Sequence, residues 1–170
     1  SVAISECHFP VLSAMYNEIA WASRSFLWHW MILMLRNSER NPFFCNQWFA
    51  FVGATGKNFC AGGDLAWMKR MVNYSYDENF NDSKLLARMF KNLNFLTVPT
   101  IARVQGVAFG GGVGLVSCCD MAVATSAASF CLSEVKIGLV PATISPYVIT
   151  AIGERAARRY FITAERFDAH

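Results

Sequence analysis

Two glycine-bearing segments hold the residues best suited to chemistry: Phe59-Cys60-Ala61-Gly62-Gly63-Asp64 and Phe109-Gly110-Gly111-Gly112-Val113-Gly114. Glycine tolerates positive φ and lets a ligand approach the main chain, so each segment presents bare backbone N–H groups. If the two turns meet at one point, those groups form an oxyanion hole, which stabilises charge developing on a carbonyl oxygen during reaction. Either turn alone reads more simply as an ordinary tight turn, because glycine is a default turn residue. The surrounding sequence has to decide.

Other chemistries fit less well. Gly53-Ala54-Thr55-Gly56-Lys57-Asn58 resembles a fragment of a phosphate-binding loop but lacks its first glycine and the hydroxyl residue after lysine. The triple glycine fails the dinucleotide fingerprint, because Leu115 stands where the last glycine belongs and no acidic residue follows at the ribose distance. The six cysteines, Cys7, Cys45, Cys60, Cys118, Cys119 and Cys131, have neither a C-x-x-C pair nor metal-like spacing with His8, His29 or His170. They read as buried, reduced thiols of a cytoplasmic protein, and no metal is expected. Cys60 has no histidine near it in sequence to activate it as a nucleophile.

Composition bounds the rest. With 170 residues, 54% hydrophobic and 16% charged, the chain can bury a real core and is unlike a disordered segment. The formal charge of +3 forms no basic block, so a nucleic-acid partner is not expected. The apolar run from Phe26 to Leu35 falls short of the ~20 residues of a membrane span and has no signal-peptide layout. It reads as a buried helix. The aromatic run from Phe43 to Val52 reads as a buried strand. Four of the five tryptophans precede residue 50, and this shift divides the chain into an atypical part, 1–51, and a more regular part, 52–170.

The elements that must position the turns are clearer from Val52 onward. Asp64 can cap a short helix through Met71. A helix is expected over Asp77–Leu96, with Leu86, Phe90 and Leu93 on one stripe and Leu85, Met89 and Leu96 beside it. Pro99 stops it, and Thr100–Val104 reads as a strand. The triple glycine opens a helix to about Cys118. Strands are expected at Met121–Thr125 and Phe130–Ser133, and helices at Pro146–Ile152 and Glu154–Ile162, separated by Gly153. Arg155, Arg158 and Arg159 lie on a solvated face of the last helix. This alternation predicts an α/β fold with buried parallel strands.

With these elements in place, Lys57-Asn58-Phe59-Cys60-Ala61-Gly62-Gly63-Asp64-Leu65 resembles the first signature of the crotonase, or enoyl-CoA hydratase/isomerase, superfamily. Pro99 to Gly106 followed by Phe109-Gly110-Gly111-Gly112 resembles its second, and Phe130 to Pro141, containing Ser133-Glu134-Val135, its third. The resemblance covers roughly 52–169. Within it, Ile144-Ser145-Pro146-Tyr147-Val148-Ile149 and Ala151 to Phe161 are most similar to bacterial methylglutaconyl-CoA hydratases, which act in leucine breakdown. The resemblance implies a ββα superhelix, or spiral core, an acyl-CoA substrate, no cofactor beyond its coenzyme A, and a homotrimer or a hexamer of paired trimers.

It also implies roles. The Gly63 and Gly111 N–H groups would hold the thioester oxygen, and Glu134 would orient water, take its proton or return one to C2. Lys57 would reach a coenzyme A phosphate or remain a solvated loop lysine. Ala61, Gly63, Asp64, Leu65 and Ala66 would line the coenzyme A, while Asp64 chiefly caps its helix. Phe109 and Trp67 would pack in the core or pocket wall. Three departures stand out: residues before Val52 do not resemble the family's opening strands and helix, its C-terminal helical region has no counterpart after His170, and Gly114 replaces a glutamate found in many hydratases. One carboxylate suits a Δ3,Δ2-enoyl-CoA isomerase as an alternative, and the unusual ends suit a non-catalytic CoA-binding or assembly subunit.

Overall fold

The computed structural model describes residues 30–36 and 48–170. Two sheets and five helices make up this part of the chain. The first sheet has the order β1-β2-β3-β5, from Trp30–Arg36 (β1), Trp48–Ala54 (β2), Thr100–Val104 (β3) and Met121–Ala124 (β5). The second has the order β4-β6-β7, from Val107–Phe109 (β4), Ser129–Cys131 (β6) and Phe167–Asp168 (β7). The helices are Leu65–Met71 (α1), Tyr76–Asn94 (α2), Gly111–Cys118 (α3), Ser145–Ile152 (α4) and Glu154–Thr163 (α5), with a 3-10 turn at Glu134–Ile137.

The run expected as a helix over 26–35 is instead a strand where it is described. β1 pairs antiparallel with β2 from Trp30↔Ala54 to Arg36↔Trp48. An unbroken apolar run has no period of its own, so the free edge of β2 decides its conformation. Residues 26–29 and 43–47 of the two apolar runs lie outside the described residues. β2 runs across the compositional change between 51 and 52.

β2, β3 and β5 are parallel, and β4 pairs parallel with β6. Burial is uneven among them. Ala50, Val52, Ala102 and Val104 are buried, but Met121 and Val123 on β5 are 47% and 62% exposed. The expectation of buried parallel strands therefore fails at β5, which is the edge of its sheet. Thr100 ties β5 to β3 from below. Its N–H and hydroxyl each donate to Asp120 Oδ2 at 2.7 Å, and Asp120 N–H donates back to Thr100 Oγ1 at 2.8 Å.

The helices start where their caps dictate. Asp64 accepts from the Ala66 N–H at 2.7 Å to begin α1. Ser75 and Glu78 form a reciprocal capping box that starts α2 one residue before the expected Asp77. Met89, Phe90 and Leu93 on its inner face are buried in the core with Val113, Leu115, Ile144 and Val148. The strand expected at Phe130–Ser133 ends at Cys131, and the chain turns at once into the 3-10 helix. At the far end Phe167 stacks on Phe130 and Tyr160, with ring centroids 5.4 and 4.2 Å apart, and seats the short β7.

Candidate active site

Strand pairing brings the two glycine turns together. Cys60 bridges Ala108 in parallel register, its N–H donating to Val107 O at 2.9 Å and its carbonyl accepting from Phe109 N–H at 2.8 Å. The first turn thus continues the edge of β4, and β4 runs directly into Gly110 and α3. A side-chain carbon on Gly112 would lie 2.6 Å from Cys60 Cβ, so the start of α3 packs flat against the first turn. Gly62 has φ 111° and Gly110 φ 54°, conformations that glycine adopts without strain.

Gly63 stands just before the α1 cap, and Gly111 is the first residue of α3. Among the described residues neither N–H has a protein acceptor. The first N–H groups of a helix have no intrahelical partner, and the helix dipole adds positive potential there. α3 has no acidic residue in its first turn and no side-chain cap, so nothing in the helix itself neutralises that end.

Glu134 reaches the same place from β6, the strand paired in parallel with β4. It opens the 3-10 turn after β6, and Gly110 N–H donates to Cys131 O at 2.9 Å to hold that turn against α3. A carbon on Gly110 would lie 3.2 Å from Glu134 Oε1, so the absent side chain at Gly110 is what admits the carboxylate. Glu134 Oε2 is buried and has no hydrogen-bond partner. A buried acceptor left unpaired costs about 1–3 kcal/mol, which a protein does not tolerate casually.

Burial pushes the Glu134 carboxyl above its ordinary range, offset in part by a backbone N–H. A carboxyl with a raised native value binds its proton more tightly in the folded than in the unfolded chain. Its contribution to stability is fully favourable below the unfolded value of about 4.3 and is lost as pH rises to the raised native value. The melting temperature of Glu134→Gln relative to the wild-type chain should therefore climb as pH rises above the unfolded value and level off beyond the raised native one. Parallel melting curves for the two proteins across that range would contradict the environment assigned to this carboxyl.

The other residues singled out in the sequence divide clearly. Lys57 is exposed on the loop before the first turn, and Ala61 and Ala66 are exposed beside Gly63 and Asp64. Leu65 begins α1. Trp67 is buried in the core, while half-buried Phe109 carries the Arg166 guanidinium over its ring at 5.1 Å. Cys60 is no nucleophile: burial pushes its thiol up to about 12, although Sγ is held among Gly62 and the Phe109 carbonyl. Two of the three α5 arginines make ion pairs on a solvated face, Arg158 with Glu154 and Arg159 with Glu165.

Gly114, one turn into α3, packs against core side chains. A carbon on it would lie 2.3 Å from Ile144 Cγ2 and 3.1 Å from Phe90 Cε1, so its space belongs to the core. Ile144 belongs to the core behind α3, and the approach of Glu134 to Gly110 is the feature of the site that residue type alone did not single out.

A family model described as enoyl-CoA hydratase/isomerase matches residues 50–170. The crystal structure of an enoyl-CoA hydratase from Shewanella pealeana superimposes with a TM-score of 0.72 at 44% identity, over 94% of this chain and 51% of that one. An enoyl-CoA hydratase of Alternaria alternata is 40% identical over 111 residues, 65% of this chain and 35% of its own length. A short-chain-enoyl-CoA hydratase of Clostridium acetobutylicum is 33% identical over 118 residues, 69% of this chain and 44% of its own. The chain spans about half or less of the length of these relatives, and its fold is the crotonase fold of the solved structures.

Proposed function

The chain belongs to the enoyl-CoA hydratase/isomerase family, and on that premise we propose that it carries the site of an enoyl-CoA hydratase. The carrying observation is the buried, unpaired Glu134 Oε2 beside the glycine turn that opens α3. In this reading the Gly63 and Gly111 N–H groups hold the thioester oxygen. Water adds its oxygen to C3, and the C2=C3 electron pair moves onto the thioester oxygen as the enolate. Glu134 takes the water's proton and returns it to C2 as the enolate collapses, so the sum is one water added. A base in an apolar setting, with its pKa moved toward neutrality, suits this exchange.

The finer reading is a branched 2-enoyl thioester such as 3-methylglutaconyl-CoA, in leucine catabolism in the cytoplasm, with no cofactor beyond the substrate's coenzyme A. The residues 144–161 that resemble methylglutaconyl-CoA hydratases support it. Ala61, Asp64, Leu65 and Ala66, with Gly63 and Gly111, would line the coenzyme A, and exposed Lys57 would meet a phosphate. No helix among the described residues is long and apolar enough to cross a membrane. A homotrimer or hexamer is supported by the apolar patch of Val135, Ile137, Leu139 and Val140, the last 81% exposed. Light scattering that finds only monomer at working concentration would remove this assembly.

Gly114 favours a second reading. With position 114 filled from Ile144, Glu134 has no second carboxylate at that position, and one carboxylate suffices to move a proton between C4 and C2 of a 3-enoyl thioester. Ultraviolet absorbance separates the readings. Hydration removes the conjugated-enoyl band, isomerisation of a 3-enoyl-CoA creates it, and a binding or assembly subunit does neither.

A further inference from the structure

Ser133 stands at the N-cap of the 3-10 turn that presents Glu134, with φ −85° and ψ −3°. Serine is among the favoured capping residues because its oxygen can accept an orphan N–H. Here it makes no side-chain cap bond. Its hydroxyl turns instead toward the start of α3, where a carbon on Gly110 would meet Ser133 Oγ at 3.7 Å and Glu134 Oε1 at 3.2 Å. Two neighbouring side chains therefore converge on the same bare α-carbon. The carboxylate has an unpaired oxygen, and no hydrogen bond is found for the hydroxyl among the described residues. Core side chains fill the space beside position 114.

We infer that Ser133 is a water-positioning residue, whose hydroxyl holds the water that Glu134 deprotonates. This rests on the hydratase reading above. A water with two protons and two lone pairs needs more than one carboxylate oxygen to fix its attack direction, and a hydroxyl can both donate and accept. Ser133 keeps its own proton throughout. The water's oxygen goes to C3, and its proton passes through Glu134 to C2.

The test separates a step that needs this water from one that does not. Hydration of crotonyl-CoA needs it. Exchange of the C2 protons of butanoyl-CoA with deuterium oxide needs only Glu134 and the oxyanion hole. Ser133→Ala should lower kcat for hydration about tenfold, the scale of one hydrogen bond, while deuterium exchange stays within about twofold of wild type. Ser133→Thr should restore hydration. Hydration and exchange falling together would make Ser133 merely structural and overturn the inference, as would unchanged hydration. Glu134→Gln run alongside distinguishes the premise: if it leaves both reactions intact, the base assignment falls first and takes this inference with it.

Discussion

Glu134→Gln should keep coenzyme A ester binding and lose about 10²–10⁴-fold of turnover, the usual contribution of a general acid–base group. Glutamine preserves the size and one acceptor of the side chain but cannot take a proton near neutral pH. The loss should stand at the upper part of that range, because Gly114 supplies no second carboxylate and its space is filled by Ile144 and Phe90. The pH profile gives an independent check. A base must be ionised to act, so wild-type kcat/KM should rise with pH through the raised Glu134 value and then level off. Turnover of crotonyl-CoA and 3-methylglutaconyl-CoA, with ligand binding measured by calorimetry, decides the matter. Equal turnover in both proteins would remove Glu134 from the chemistry, and lost binding would make it a binding residue instead.

Gly114→Glu should not restore a two-carboxylate site; it should unfold the chain. The first carbon of the new side chain would already lie 2.3 Å from Ile144 Cγ2 and 2.8 Å from its Cβ. Overpacking of this kind costs about 1–3 kcal/mol. An uncompensated buried carboxylate adds about 3–5 kcal/mol on the evidence of broken buried pairs. Together these rival the ~5–15 kcal/mol that holds a domain folded. The expected result is loss of the cooperative urea transition at neutral pH. Pairing it with Ile144→Ala should recover part of the transition by removing the nearest atoms. A Gly114→Glu protein with the wild-type midpoint and raised hydration would show that position 114 opens on the substrate after all.

Where the sequence could be read, local chemistry was the reason. Asp64, Gly153 and the triple glycine each set an element end through their own backbone or side chain, and the structure has ends at all three places, whereas α2 stops at Asn94, short of the expected Leu96 and well before Pro99. The three signatures could be placed because each depends on short-range residue types. Long-range partners were harder to see. β1 is a strand because β2 lies beside it, and no residue within Trp30–Arg36 says so. β4 and β7 have three and two residues, too few for any period to appear. Glu134 could be singled out by its motif, but its unpaired oxygen could not, because that depends on Gly110 arriving from the neighbouring strand β4, distant in sequence. Ser133 was hidden for a related reason: a capping residue that does not cap looks the same in sequence as one that does.

The bridge between Cys60 and Ala108 also sets the order in which the molecule can assemble. The bond from Phe109 N–H to the Cys60 carbonyl closes a span of 49 residues. Chain entropy charges about 3 kcal/mol for a loop of that size before any contact across it is gained. α2 lies inside the span and, with its capping box, can form on its own timescale, but the parallel pairing around it is non-local and slow. During refolding, helical signal should therefore return before ligand binding does, and stopped-flow circular dichroism beside fluorescent CoA-ester capture would show the lag. Neither glycine turn holds half a site in waiting; the site comes into being when the spiral closes.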